Sequence, residues 1–409
     1  MTLRSPLDVR PGYRGLLRSP RRAAMVLAGG VARFPMTGAG VAIVLAVAGA
    51  TGSYAVAGAA SSAYVVLAAL AAPVLGRLMD RLGQARVLAA AALVQTAALL
   101  TLAAVAAAAH PVAMIALCGV VGLAAPDVGA AVRSRWAFLL RDDGARRTAF
   151  LLESVVDETM FVVSPLAVSA AAAVHPSAGL VVVAAGPAFG ATALAMQRAT
   201  APPPGGRSTA ARRRVAVITR PGLPRLALMF LGLGAYLGSI EVLLVAYADR
   251  AERPVEAGIA LAGWAAGSAG AALVLGARIA AFAPARVLMG GVAVMAAFGL
   301  LLPANHGLVW LTAVCFCAGI GASPALSAGF SLASDRAGDD GRTEGMTWMS
   351  TGMGFGTTLG ALTGGLVADR VTGQEGYLLC SLFGLVALAA AAWAVVDPRS
   401  RPRRRAPRR

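Results

Sequence analysis

Twelve long apolar runs, separated by short polar breaks, occupy almost all of the chain between residues 23 and 396. They cover residues 23–50, 54–76, 86–109, 112–138, 149–174 and 177–197, then 223–248, 255–282, 285–303, 307–333, 344–368 and 375–396. A helix needs about 20 apolar residues to cross a bilayer, and each run supplies that length. The runs do not alternate polar with apolar residues, which excludes barrel strands and leaves helices. Of the 409 residues, 58% are hydrophobic and only 13% are charged. That is about half the charge of a soluble domain. An ordinary soluble enzyme, a disordered chain and a fibre are excluded on this ground. The expected fold is an all-α polytopic membrane protein with twelve transmembrane helices.

The breaks carry the charge. Every one of the 36 cationic side chains is arginine, against 19 acids. With the chain threaded through twelve spans, 30 arginines fall on the side of both termini, and Arg250, Arg253 and Arg370 fall on the other. Cytoplasmic loops concentrate positive charge. Both termini are therefore expected in the cytoplasm, with the chain in the plasma (inner) membrane. The net charge of +17 is a topology marker on this reading, and no nucleic-acid partner is expected. No secretory cleavage pattern follows residues 1–22, so the first run is expected to be retained. The layout is a cytoplasmic segment 1–22, a six-helix bundle 23–197, a basic linker 198–222, a second six-helix bundle 223–396 and a basic tail 397–409. The linker holds Pro202-Pro203-Pro204-Gly205-Gly206 and Arg212-Arg213-Arg214.

The two bundles repeat one another. Val74-Leu75-Gly76 recurs as Val274-Leu275-Gly276, and Ala85-Arg86-Val87-Leu88 as Ala285-Arg286-Val287-Leu288. Asp142-Asp143-Gly144 recurs as Asp339-Asp340-Gly341, each followed by Arg-Thr (Arg147-Thr148, Arg342-Thr343). Matching breaks after runs 2 and 8, and after runs 4 and 10, point to a duplicated six-helix unit.

The break after the second run reads Gly76-Arg77-Leu78-Met79-Asp80-Arg81-Leu82-Gly83-Gln84-Ala85-Arg86. It resembles the loop signature of the major facilitator superfamily, G-x-x-x-D-R-x-G-x-[RK]-[RK]. Gly76, Asp80, Arg81, Gly83 and Arg86 match, and Ala85 departs at the first basic position. In the second copy Asp80 and Arg81 become Ala280 and Ala281. The resemblance covers the whole chain and implies two six-helix bundles rocking about a midplane site. It implies that the loop is a conformational latch and that helices 1, 4, 7 and 10 line the cavity. Exporter branches of the family often carry a glycine-proline pattern late in helix 5. Here that place holds Ser164-Pro165, without the glycines.

A charge at bilayer depth is costly and marks a functional hypothesis. Arg33 falls near the middle of the first run, with Phe34-Pro35 after it to kink the helix. Asp127 follows Pro126 in the fourth run, and Glu241 lies in the outer half of the seventh. These three are candidate cavity residues, with Arg33 a candidate anion clamp or an ion-pair partner for Asp127. Glu153, Asp157 and Glu158 open the fifth run, and Arg133 and Arg135 end the fourth, at similar depth. They form a candidate gate or proton-coupling cluster between helices 4 and 5. Gly352, Gly356, Gly360 and Gly364 repeat every four residues and make one smooth ridge. That ridge would serve either sliding between the bundles or static packing.

Other chemistries find no support. Cys118, Cys315, Cys317 and Cys380 lie inside apolar runs without disulfide or zinc spacing. His110, His175 and His306 sit at breaks. No phosphate loop, zinc-protease motif or nucleophile elbow occurs, so neither an enzyme, a metal site nor a cofactor is expected. The expected function is secondary active transport of a small molecule by a monomer, most readily as a proton-coupled exporter. Proton-coupled uptake of an organic anion is the alternative. A receptor or scaffold that keeps the fold without transporting is the alternative of another class.

Overall fold

A computed structural model describes residues 13–105, 110–204, 217–250, 254–279, 281–371 and 374–396. Gly205-Gly206 and the arginine run of the linker, and the basic tail 397–409, lie outside the described residues. The described residues hold helices and no strand. A short helix, α1 (Tyr13–Leu17), precedes the first span. Span 1 is α2 (Pro20–Ala32) and α3 (Phe34–Thr51), span 2 is α4 (Tyr54–Leu82) and span 3 is α5 (Gln84–Val105). Span 4 is α6 (Pro111–Leu123) with α7 (Val128–Leu139), and span 5 is α8 (Asp143–Ala172). Span 6 is α9 (Ala178–Ala185), a π-turn (Gly186–Ala191) and α10 (Thr192–Met196).

The second half begins with α11 (Leu223–Arg250) as span 7. Span 8 is α12 (Pro254–Gly270), a π-turn (Ala271–Leu275) and α13 (Gly276–Ile279). Spans 9 to 12 are α14 (Pro284–Gly299), α15 (Leu308–Ala337), α16 (Arg342–Arg370) and α17 (Leu378–Val396). Ten of these stretches are long and apolar enough to cross a membrane, and Gly258–Val274 is apolar but shorter. The remaining one, α16, is long enough at 29 residues, but glycines and hydroxyls dilute its apolar content.

Local chemistry fixes where the helices start and break. Pro20, Pro35, Pro111 and Pro284 stand in first turns, where their missing N–H costs nothing. Asp142 caps α8 by accepting from Ala145 N at 2.6 Å. Span 1 breaks at Arg33, two residues before Pro35, as the sequence predicts. Neighbours hold this break open. Ser164 Oγ donates to Phe34 O at 2.7 Å, and Tyr64 Oη donates to Pro35 O at 3.0 Å. Ser164-Pro165 thus supports the break without glycines of its own: Gly38, on the opposing helix, supplies the room for Ser164.

The glycine ridge of α16 faces its own bundle. A Cβ at Gly352, Gly356, Gly360 or Gly364 would strike backbone of Ala227, Leu231, Ala235 or Ser239, all on α11. Those partners also repeat every four residues, so two ladders mesh backbone to backbone. The ridge is static packing within the second half. Sliding between the halves, the other expectation for it, is not where these glycines sit.

The cores show how the halves meet. One buried apolar cluster runs through the second half and continues into the arginine-rich end of the first, through Met79, Trp136 and Phe150. A separate cluster, including Ile43, Tyr64, Leu99, Met114 and Val168, fills the far end of the first half. The halves thus share a core at the end carrying α1 and the linker and part at the other end. Exposure on α8 agrees. Phe161, Val162 and Val163 are 58%, 50% and 41% exposed. Three successive residues sweep about 200° around a helix, more than a lipid-facing side alone.

Candidate functional site

The intramembrane charges of the first half gather around the break in span 1. Arg33, 1% exposed, donates to Glu153 Oε2 at 2.6 Å. Its Nε lies 2.9 Å from Asp157 Oδ1. Arg133 reaches the other oxygen of Asp157 at 2.6 Å and stacks over the Phe330 ring at 4.3 Å. Trp136 Nε1 donates to Glu153 Oε1 at 2.7 Å. Two arginines are thereby matched with two carboxylates, and both Glu153 oxygens are used. Burying such charges is tolerable only when they are paired and hydrogen-bonded.

Asp127 sits at the break in span 4. It caps α7, accepting from Ala130 N at 2.8 Å. Across the halves its neighbour is Ser350 of α16, and Arg133 and Asp157 lie within electrostatic reach. Glu158, one residue past Asp157, takes no arginine partner among the described residues. It accepts instead from Ser268 Oγ of α12 at 2.8 Å, and Ser268 Oγ is 2.7 Å from Ser323 Oγ of α15. This hydrogen bond crosses between the halves near the level where the shared core ends.

The sequence-derived cluster is thus assembled in part. Glu153, Asp157 and Arg133 meet, and Glu158 adjoins them. Arg33 joins them, with Glu153 and Asp157 as its ion-pair partners and Asp127 acting only through longer-range charge. Arg135 turns away, because the next helical position but one faces another side. It donates to Gln84, Thr200 and the carbonyls of Leu194 and Gln197. Glu241 is exposed on α11 and makes no hydrogen bond or ion pair among the described residues.

The signature loop forms a clasp between the halves. Asp80 accepts from Thr343 N at 3.3 Å and Glu344 N at 2.9 Å, the free donors at the start of α16. A carboxylate suits a helix N-terminus by charge as well. Arg77 grips Glu344 with two hydrogen bonds, 3.1 and 2.8 Å. Gly76 lets α4 approach Thr347 and the Glu344 backbone. Gly83 ends α4 at φ 91, where only glycine is unstrained. Arg81 lines the small polar cleft beside Asp80 and Arg220, and Arg86 is exposed.

Sequence reasoning missed Arg77, Glu344, Ser268, Ser323 and the linker end. Val217 N donates to Glu344 Oε1 at 3.2 Å, and Arg220 pairs with Asp340 at 2.8 and 2.9 Å. That pairing holds the Arg220 guanidinium above its ordinary value. Glu344 was the visible signal, since it follows the repeated Arg-Thr pair.

Two helical bundles joined at one end, with buried charges at their junction, make an all-helical membrane protein. Residues 226–409 match the family model of the Major Facilitator Superfamily. Solved structures extend the likeness, in fold, over about nine-tenths of the chain. A bacterial homologue of the iron transporter ferroportin, in its outward-facing state, matches with TM-score 0.71 and 14% identity, over 92% of this chain and 99% of that one. The E. coli fucose:proton symporter matches with TM-score 0.69 and 13% identity, over 92% and 98%. The human organic anion transporter TETRAN matches with TM-score 0.68 and 16% identity, over 91% and 100%. A comparison with curated proteins returns no match. By sequence the second half matches the Major Facilitator Superfamily model, and by fold most of the chain is similar to these transporters.

Proposed function

We propose that the protein is a proton-coupled exporter of a small molecule, set in the plasma membrane with both termini in the cytoplasm. The observation that carries this reading is the bond from Ser268 to Glu158, a carboxylate without an arginine partner among the described residues, at the junction of the halves. An ionised acceptor makes a hydrogen bond roughly twice as strong as a neutral one. Protonation of Glu158 from the open cleft weakens the tie to Ser268 and releases the halves to rock. The proton leaves on the other side, the carboxylate re-forms, and the tie returns with the next closure.

Charge balance supports an outward-moving substrate that is neutral or cationic. At this depth Arg33 and Arg133 face Asp127, Glu153, Asp157 and Glu158, so carboxylates outnumber arginines two to one. Arg33 is enclosed by Glu153 and Asp157, whose two negative charges outweigh its one and disfavour an anion there. Proton-coupled uptake of an organic anion stays as the second reading, favoured by the likeness to a human organic anion transporter.

The test is transport in proteoliposomes under an imposed pH gradient, with a panel of fluorescent organic cations and anions. Gradient-driven flux of cations that becomes pH-independent in Glu158→Gln is the expected result. Flux of anions alone, or a Glu158→Gln chain that still follows the gradient, would overturn the reading.

A further inference from the structure

The clasp of α4 on α16 secures one flank of the closed end, and its duplicate on the other flank is gone. Gly276 stands two hundred residues after Gly76, but Arg77, Asp80 and Arg81 are matched there by Ala277, Ala280 and Ala281. On the facing helix, Arg342-Thr343-Glu344 is matched by Arg147-Thr148-Ala149, so the counterpart of Glu344 is an alanine. No charged clasp can form from these positions.

This flank keeps one ion pair between the halves, Arg146 of α8 to Asp335 of α15 at 2.8 Å, and a further element closes it. The α1 helix, ahead of the first span, lies against α8 with Leu16 fully buried. The Tyr13 hydroxyl donates to Ala272 O, inside the π-turn of span 8 in the opposite half. A π-turn interrupts the regular ladder of a helix and is frequent at functional sites. Gly276 leaves room for the ring: a Cβ there would run into the Tyr13 hydroxyl, with Leu151 of α8 at 3.5 Å. Gly276 thus admits Tyr13 as Gly76 admits Thr347. Burial pushes the Tyr13 phenol from 10.0 up to about 12, so the donor keeps its proton at physiological pH.

We propose that Tyr13 is a second latch, by which α1 of the first half clasps span 8 of the second and holds the arginine-rich end shut. Beside the Arg146–Asp335 pair, it stands where the duplicated loop has lost its charged latch. The inference rests on the alternating-access reading above, and its test needs neither substrate nor proton gradient.

Hydrogen–deuterium exchange of the full chain in nanodiscs reads the latch directly. One net hydrogen bond shifts an opening equilibrium about fivefold. Tyr13→Phe, which keeps the ring, is expected to raise exchange by about that factor in residues 143–152 and 284–290. Gly276→Ala should do the same by displacing the ring. Residues 111–123, remote from the gate, should not change. Adding Arg77→Ala should multiply the effect, since the two clasps lie on separate flanks. Unchanged exchange on this flank in both variants would overturn the proposal, as would a uniform rise that includes residues 111–123. A rise on the flank without matching protection at the far ends of α4 and α11 supports the clasp while counting against alternating access.

Discussion

Arg33 shows what a single buried charge demands. Its cost was legible in the sequence, because an arginine at the centre of an apolar run must be satisfied. Its partners were not, since Glu153 lies 120 residues away and only helix packing brings the two together. Removing one member of such a group leaves its partner buried and unpaired. Arg33→Met should therefore lower stability by about 3–5 kcal/mol, measured by thermal unfolding in detergent. The double variant Arg33→Met with Glu153→Gln should recover much of that loss. The new side-chain amide still accepts from Trp136, and Asp157 keeps Arg133. Equal losses in single and double variants would show that the pair is not coupled. Exposure sets a contrast at Arg220, about a third exposed in its pair with Asp340. Arg220→Ala should cost under about 1 kcal/mol in the same assay.

Among the elements, α16 was the least readable. Its four-residue glycine repeat announces close packing, but spacing alone does not say against what. The structure sets Gly356 and Gly360 against the backbone of Leu231 and Ala235, so a methyl group has nowhere to go. Overpacking a close contact costs about 1–3 kcal/mol, and Gly360→Ala should lower thermal stability accordingly. Gly354 and Gly365, on the same helix, have nothing within 4 Å of an added Cβ. Gly354→Ala and Gly365→Ala should leave the melting temperature unchanged or slightly raised, as alanine favours helix. The break in span 1 was more legible, and those in spans 4, 6 and 8 were not read from the sequence. Pro35 and Pro126 mark the breaks at Arg33 and Asp127, because proline removes a helix hydrogen bond and clashes with the preceding turn.

At the scale of the whole molecule, the two halves are held at one end and free at the other. The loop signature located one clasp, and Arg77, at a position the signature leaves open, supplies its two-bonded ion pair. Glu344 serves Arg77 and the linker residue Val217 together, so the linker end is fastened to the carboxylate that α4 grips. Arg77→Ala should shift the population toward the state open at the arginine-rich end. Spin-label distances between the ends of α4 and α16 would lengthen, and an unchanged distribution would count against the clasp.

The sequence by itself determined the bilayer as solvent and the all-helical class, and it supplied the expectations of twelve spans, of orientation, of a duplicated unit and of a latch loop. Each of these follows from local facts: hydropathy over about 20 residues, arginine side by side with apolar runs, and short motifs in register. Tertiary structure alone decided which charge meets which. Arg133 and Arg135 stand two residues apart, yet one enters the charged cluster and the other leaves it, because helical rotation and neighbouring spans choose the side. The same holds for Glu158, whose partners Ser268 and Ser323 are ordinary serines in apolar runs until two halves of the chain close around them. Pairings between distant segments carry no local signature, since they depend on where whole helices come to rest.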